Sequence, residues 1–139
     1  MLVAAGGPRS EDGVDQLIID FEVLARVAKD KRAVKAGEVI FRAGERGDQF
    51  FVVRDGAIDI RIGERTVETV GPSGVFGEMA MVDAKPRSAT AVAAADSVIV
   101  ALTEKQFLAL VREAPYFALA VMRVLAHRLR TANAELADR

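Results

Sequence analysis

Two short runs, spanning 15 positions from end to end, carry the clearest chemical potential in this chain: Phe76–Ala80 and Arg87–Thr90. Gly77 lets the backbone approach a ligand closely and adopt conformations that other residues avoid. The Glu78 carboxylate can accept hydrogen bonds from sugar hydroxyls. Arg87 carries a permanent positive charge on a planar fork that fits two phosphate oxygens. These residue types, so closely spaced, favour a phosphorylated sugar as ligand.

The same segment predicts a short helical turn from Met79 to Val82, whose free N–H groups would favour an anion at Gly77. Each feature also has an ordinary structural explanation. A glycine followed by an acid and apolar residues is how many helices begin. An arginine before a β-prone run, here Ser88 to Val92, is often a solvated strand end. The residues alone therefore leave phosphate binding open.

Short β-like runs separated by turn residues fill the middle of the chain. Ile58, Ile60 and Ile62 alternate with Asp59 and Arg61, which predicts a strand with one solvated face. Short strands with a turn every eight to twelve residues or so are typical of an antiparallel barrel or roll. The predicted strands are Ala33–Val34, Val39–Phe41, Phe50–Val53, Ala57–Ile62, Thr66–Val70, Ala89–Val92 and Ser97–Leu102.

Helical periodicity appears on both sides of this region. Apolar residues spaced near 3.6 predict a short helix within Ile18 to Lys29. Thr103 and Gln106 predict a capping box for a helix that runs from Gln106 to Glu113. Pro115 then begins a longer Ala-rich helix from Tyr116 to about Ala137.

The long helix carries an apolar seam with spacings of 3, 4, 3 and 4, formed by Met122, Leu125, Leu129, Ala132 and Leu136. Such a pattern is typical of coiled-coil contact positions. It is equally consistent with one broad face packed on the chain's own domain. We expect a weak homodimer through this helix.

The motif resembles the phosphate-binding cassette of the cyclic nucleotide-binding domain family. That cassette reads roughly Phe-Gly-Glu-Leu/Ile-Ala-Leu, a short variable stretch, and then Arg-Thr/Ser-Ala-Thr/Ser-Val. Here Met79 stands for the usual Leu or Ile, and Thr90-Ala91 for the usual final pair. The turn glycines resemble the family's β-roll section as well, so the resemblance runs from about Val34 to Leu102 and into the C-terminal helices.

The resemblance implies a mainly β fold with flanking helices. It predicts an antiparallel, jelly-roll-like β-roll (a double-stranded β-helix) with a short helix in the cassette and helices at the C-terminus. We expect a flexible tail over residues 1–16 and a single domain over 17–139. The β-roll would occupy about 31–102 and the C-terminal helices about 103–137. Five glycines are expected to be turn scaffold rather than ligand site: Gly37, Gly44, Gly47, Gly56 and Gly63.

The resemblance also implies roles for individual residues. Arg87 would pair with the cyclic phosphate, and Glu78 would accept from the ribose 2′-hydroxyl. Arg128 would reach Glu78 from the last helix, or else be a solvated arginine. Ser88 leaves cAMP and cGMP both open, and the Asn133 amide suits either purine. Of the two, we expect cAMP. The predicted ligand-binding set is Phe76, Gly77, Glu78, Met79, Ala80, Arg87, Ser88, Ala89, Arg128, Leu129, Ala132 and Asn133.

Composition bounds the function further. A length of 139 residues with 51% hydrophobic side chains suits one domain with one core. A formal net charge of -1 provides no broad basic field, so we expect no nucleic-acid binding by this chain alone. Cysteine is absent, which excludes disulfides and fits a reducing compartment. No apolar run reaches the roughly 18 residues of a membrane span, so we expect a cytoplasmic protein without membrane contact.

Catalytic readings find little support. The single histidine, His127, lies in the last helix beside Arg128, where a cation suits the helix dipole. A cupin-like metal enzyme would need several histidines and a carboxylate, and is disfavoured. We expect no enzymatic activity, no metal and no cofactor. The predicted function is a regulatory sensor of a cyclic nucleotide whose last helix moves on binding. We expect a stand-alone sensor. The alternative is the sensor part of a helix-turn-helix transcription regulator, and the end of the chain soon after the long helix does not decide between the two.

Overall fold

The computed structural model describes residues 2–4, 17–79 and 83–137, with side chains for residues 20–79 and 83–134. Within these residues the chain forms ten strands and three helices. The strands are β1 (Leu2–Ala4), β2 (Leu17–Ile19), β3 (Asp30–Val34), β4 (Val39–Phe41), β5 (Gln49–Asp55), β6 (Ile58–Ile62), β7 (Arg65–Val70), β8 (Val75–Phe76), β9 (Thr90–Ala93) and β10 (Ser97–Thr103). The helices are α1 (Phe21–Val27), α2 (Glu104–Glu113) and α3 (Tyr116–Ala137).

Two antiparallel four-stranded sheets make up the body of the fold. Their strand orders are β3-β10-β5-β8 and β4-β9-β6-β7. The predicted antiparallel β-roll with flanking helices is therefore confirmed, and every predicted strand run overlaps an observed strand, with Ala57 and Ala89 lying just before theirs. β1 pairs separately with β2. The flexible tail predicted for residues 1–16 and the domain bounds stay predictions, although Leu2–Ala4 within that tail is a paired strand.

Strand β5 joins two hydrophobic clusters because it is buried on both faces. Phe51 and Val53 point into the roll, where they meet inward residues of both sheets such as Ile58 and Ile99. Phe50 and Val52 point the other way and pack under the three helices. This arrangement explains why the run Phe50–Val53 is continuously apolar rather than alternating. It packs the helices directly on the roll.

The helix limits depend on local capping. The helix predicted within Ile18 to Lys29 is shorter than expected, because the Asp20 carboxylate accepts from the backbone N–H groups of Glu22 and Val23 and fixes the start at Phe21. At the other end, Ala28 is extended and leads into β3. The capping box predicted at Thr103 is confirmed, and it starts α2 at Glu104. Helix α3 has the predicted range.

Candidate functional site

Backbone hydrogen bonds between the Arg87 segment and the loop after β4 fix the position of Arg87. Its backbone N–H donates to the Glu45 carbonyl over 2.8 Å, and its own carbonyl accepts from the Gly44 N–H over 2.8 Å. Nearby, the Ala43 N–H donates to Thr90 Oγ1 over 2.9 Å, just where β9 begins. The loop 42–48 between β4 and β5 therefore fixes the position of the segment that carries Arg87.

The guanidinium of Arg87 is held by neutral groups. Nη1 donates to the Gly77 carbonyl over 2.9 Å, and Nη2 donates to the Gln49 carbonyl over 2.7 Å. Its Cζ lies 4.1 Å from the centroid of the Phe41 ring, a cation–π contact. Phe41 in turn stacks on Phe51, with ring centroids 6.0 Å apart. The cation is thus pre-oriented without the use of a carboxylate.

This charge is only partly compensated. Among the described residues no carboxylate forms an ion pair with Arg87, and its buried Nε has no hydrogen-bond acceptor. Burial lowers the pKa of the Arg87 guanidinium, while the more distant carboxylates of Asp48 and Glu45 oppose that shift. A half-buried cation with an unused donor and no counter-ion is chemically ready for an anion.

Glu78 forms a buried ion pair with the last helix. Its side chain is 5% exposed, and Oε1 accepts from Nη1 of Arg128. The predicted contact between these residues is therefore confirmed, and the alternative of a fully solvated Arg128 is wrong. Glu78 Oε2 makes no hydrogen bond within the described part of the chain. Within the described residues, this second oxygen is therefore available to another donor.

Arg128 also binds Glu68 on β7, a residue that the sequence did not mark as part of the site. Its Nε donates to Oε1 of Glu68 over 2.8 Å and its Nη2 to Oε2 over 3.1 Å, a bidentate pair with β7. Nη2 donates further to the Val75 carbonyl over 2.6 Å. A single side chain of α3 therefore holds β7, β8 and the cassette together.

These groups line one cavity of about 770 Å³. Its volume is typical of a small-molecule site. Nine predicted site residues lie on its wall: Phe76, Gly77, Glu78, Met79, Arg87, Ser88, Ala89, Arg128 and Ala132. Ala80, and with it most of the helical turn predicted for Met79 to Val82, falls outside the described residues.

Two predicted residues are placed elsewhere. Leu129 is 63% exposed and Asn133 is exposed, and neither lines the cavity. Helix α3 contributes His127, Arg128, Thr131 and Ala132 to the cavity wall instead. Contact of Leu129 or Asn133 with a ligand stays a prediction. In the observed position of α3, neither side chain reaches the cavity.

Several wall residues were missed by the sequence analysis. The apolar side of the cavity comes from Phe41 on β4 and from the β6–β7 hairpin through Ile60, Ile62 and Val67, with Glu68 and Thr69 beside them. Asp83, Lys85 and Pro86 lie on the cassette side. Phe41 and the isoleucines look like ordinary core in the sequence, because nothing local separates a wall position from a core position. The one usable signal was a charged residue, Glu68, which lies opposite Ile60 of β6.

Comparison with known proteins identifies this arrangement. The family model described as cyclic nucleotide-binding domain matches residues 31–114. The chain belongs to the cyclic nucleotide-binding domain family. A domain of this family is a ligand-binding regulatory module.

Two of the relatives within the family are regulatory proteins of different kinds. The cyclic AMP receptor protein of Thermus thermophilus is 38% identical over 111 residues, which cover 76% of this chain and 51% of that protein. The cAMP-dependent protein kinase regulatory subunit of Eremothecium gossypii is 38% identical over 93 residues, covering 67% of this chain and 20% of that protein. The chain thus spans about half the length of the first relative, and much less of the second.

Solved structures agree on the fold. The crystal structure of the Thermus thermophilus catabolite activator protein superposes with a TM-score of 0.73 at 34% identity, covering 84% of this chain and 57% of that chain. A protein kinase A regulatory-subunit domain bound to Sp-2Cl-cAMPS superposes with a TM-score of 0.64 at 26% identity, covering 84% of this chain and 88% of that one.

Two further observations concern the described residues alone. None of their helices is both long and apolar enough to cross a bilayer. No group of histidine, aspartate and glutamate side chains among them is arranged to hold a metal ion. The predicted cytoplasmic location stays a prediction.

Proposed function

We propose that this chain binds cAMP in the cavity as a regulatory sensor, with the cyclic phosphate on Arg87. The observation that carries the proposal is the state of that guanidinium: two backbone carbonyls and a ring orient it, yet Nε has no acceptor and no carboxylate among the described residues neutralises it. A cyclic phosphodiester carries one negative charge and two free oxygens, so it complements this cation. The positive φ of Gly77 (76°) lets the backbone bend at the same point.

Glu78 is suited to the ribose. One of its oxygens is committed to Arg128, while Oε2 makes no hydrogen bond in the described part of the chain. A ribose 2′-hydroxyl can donate to this second oxygen without displacing the ion pair. Glu78 would then bind the ligand and hold α3 at once, which links occupancy of the cavity to the position of the helix.

The base would lie between the apolar hairpin residues and α3. Ile60, Ile62 and Val67 provide apolar contact area, and Thr131 and Ala132 of α3 line the same cavity. The names of relatives from two functional classes, a cyclic AMP receptor and cAMP-dependent kinase regulatory subunits, support adenine over guanine. Movement of α3 toward the cavity would bring Leu129 and Asn133 closer to the base, as the sequence predicted.

The output of the sensor would pass through α3. Arg128 ties this helix to β7, β8 and the cassette, so a ligand that contacts Glu78 alters the contacts that set the position of the helix. Exposed apolar side chains on the helix, at Leu119, Met122 and Leu129, offer a surface for a second copy. We propose a weak homodimer there, and no chemical conversion of the nucleotide.

Calorimetric titration of the purified chain with cAMP, cGMP and linear 5′-AMP tests the proposal. We expect saturable binding of cAMP, weaker binding of cGMP, and much weaker binding of 5′-AMP, because its terminal dianionic phosphate does not match a site shaped for the cyclic ester. Chromatography of the nucleotide after incubation should recover it unchanged. No heat with either cyclic nucleotide, or equal affinity for 5′-AMP, would contradict the proposal.

A further inference from the structure

Gly47 lies directly against the guanidinium of Arg87. A Cβ atom built on Gly47 would stand 2.5 Å from Nη2 and 2.8 Å from both Cζ and Nε of Arg87. Real Cβ atoms do not come this close to a neighbouring heavy atom, so any side chain at position 47 would have to displace the guanidinium.

The backbone at Gly47 gives no other reason for glycine. Positive φ occurs at Gly37, Gly44, Gly56 and Gly63, as expected for turns, but not at Gly47. We expected Gly47 to be a turn glycine of the scaffold. A positive φ, the usual reason for glycine in a turn, is not found there. An alanine could adopt this backbone conformation, and only the space occupied by Arg87 excludes it.

The guanidinium has little freedom to move away and keep its contacts. It is bonded to the carbonyls of Gly77 and Gln49 and lies over the Phe41 ring. The backbone of the same residue is fixed by the loop that contains Gly47, through Glu45 and Gly44. A methyl group at position 47 would thus break at least one of the bonds that orient the cation. Because the displaced group is the end of a flexible side chain, the fold itself can survive.

We infer that Gly47 is a positioning residue for ligand binding: its missing side chain leaves the space in which Arg87 is held ready for the phosphate. This inference rests on the proposed role of Arg87. It assigns the glycine to the ligand site rather than to the stability of the β-roll. The predicted signature is a loss of affinity without a matching loss of stability.

The chain offers a matched control. Gly71 also lies in a loop and has no positive φ, and no neighbouring heavy atom lies within 4 Å of the point where its Cβ would stand. Gly71→Ala makes the same chemical change where there is room for it. Comparison with Gly47→Ala separates the contact with Arg87 from the general effect of stiffening a loop.

The test uses the full chain with Gly47→Ala, Gly71→Ala, Arg87→Ala and the double variant Gly47→Ala/Arg87→Ala, titrated with cAMP and melted without ligand. We expect Gly47→Ala to weaken binding at least about tenfold, which is about 1.4 kcal/mol. Gly71→Ala should bind like the unmodified chain. The double variant should bind no more weakly than Arg87→Ala, because Gly47 acts only through that side chain.

The outcomes separate the two proposals. Unchanged affinity in Arg87→Ala would overturn the proposed phosphate site itself. A weak Arg87→Ala beside a tight Gly47→Ala would overturn only the role of Gly47, as would independent, additive losses in the double variant. Should Gly47→Ala fail to fold, the double variant decides: stability regained on removing the guanidinium supports the inference, and a persistent loss overturns it.

Discussion

Replacement of Arg128 by alanine is the perturbation whose consequences the structure defines most fully. The change removes the pair with buried Glu78, the bidentate pair with Glu68 and a bond to the Val75 carbonyl. Glu68 is 37% exposed and can turn to water, whereas Glu78 is 5% exposed and cannot. The main loss should therefore come from a carboxylate left buried without its partner.

The magnitude follows from that asymmetry. Removing one partner of a buried ion pair lowers the free energy of unfolding by about 3–5 kcal/mol when the remaining charge stays shielded from water. Here Arg128 is itself 25% exposed and the cavity is wide, so water can reach Glu78 once the guanidinium is gone. We expect a loss of about 1–3 kcal/mol in the free energy of unfolding, the cost of a poorly satisfied buried group. With a typical urea slope of about 1–3 kcal/mol per molar, the unfolding midpoint should fall by about 1 M.

Urea denaturation without ligand measures this loss, and a second substitution identifies its cause. In the double variant Arg128→Ala/Glu78→Gln the buried charge is absent, so we expect a large part of the stability to return. Arg130→Ala, an exposed arginine two residues further along the same helix, is the control and should be close to neutral. Equal destabilisation of the single and double variants would refute the reasoning, as would a neutral Arg128→Ala. The same single variant should show altered cAMP affinity, since Glu78 loses the group that orients it.

Three other predictions follow from the site and the helix. Arg87→Ala should weaken cAMP binding by one to two decades, since a hydrogen bond to a charged group contributes about 1.5–3 kcal/mol, and Arg87→Lys should recover only part of it; calorimetry that finds lysine equal to arginine would contradict the forked contact. In competitive titration cAMP should bind more tightly than cGMP, and an approximately tenfold preference for cGMP would reverse this ranking. In sedimentation the chain should form a weak dimer that Met122→Glu/Leu129→Glu dissociates without unfolding, whereas a chain that stays monomeric at high micromolar concentration, with or without nucleotide, would rule out the dimer.

The choice of side chains in the last prediction differs from the one that the sequence alone suggests. The seam Met122, Leu125, Leu129, Ala132 and Leu136 treats Leu125 as intermolecular, but Leu125 packs against the chain's own core beside buried Val121. The side chain of Leu136 is outside the described residues. The large apolar side chains of α3 that are exposed include those of Leu119, Met122 and Leu129. Periodicity gives the spacing of an apolar face, but only packing fixes the rotation of the helix, because adjacent faces of a helix overlap in a mostly apolar sequence.

Much of the fold was accessible from the sequence because its signals are local. Strand runs, turn glycines and the Thr103 capping box each depend on residues within a few positions of one another. Arg87 and Glu78 were accessible for the same reason, since both lie in one 15-residue segment. The contact between Glu78 and Arg128 spans 50 positions, and it was predicted only through the resemblance to a family. The contact of Gly47 with Arg87 had no local sign at all.

Glu68 shows where the limit lies in physical terms. Along β7, Glu68 and Val70 share one face and Thr69 between them points to the other, so alternation alone allows either face to point inward. The pairing with β6 decides, because Ile58 lies opposite Val70 and Ile60 opposite Glu68. Ile58 and Val70 are both buried in the roll, which turns Glu68 to the inner side, toward Arg128. A slip of one residue would exchange the faces and remove the acceptor of Arg128. The register that buries one valine therefore also builds the acidic half of the site.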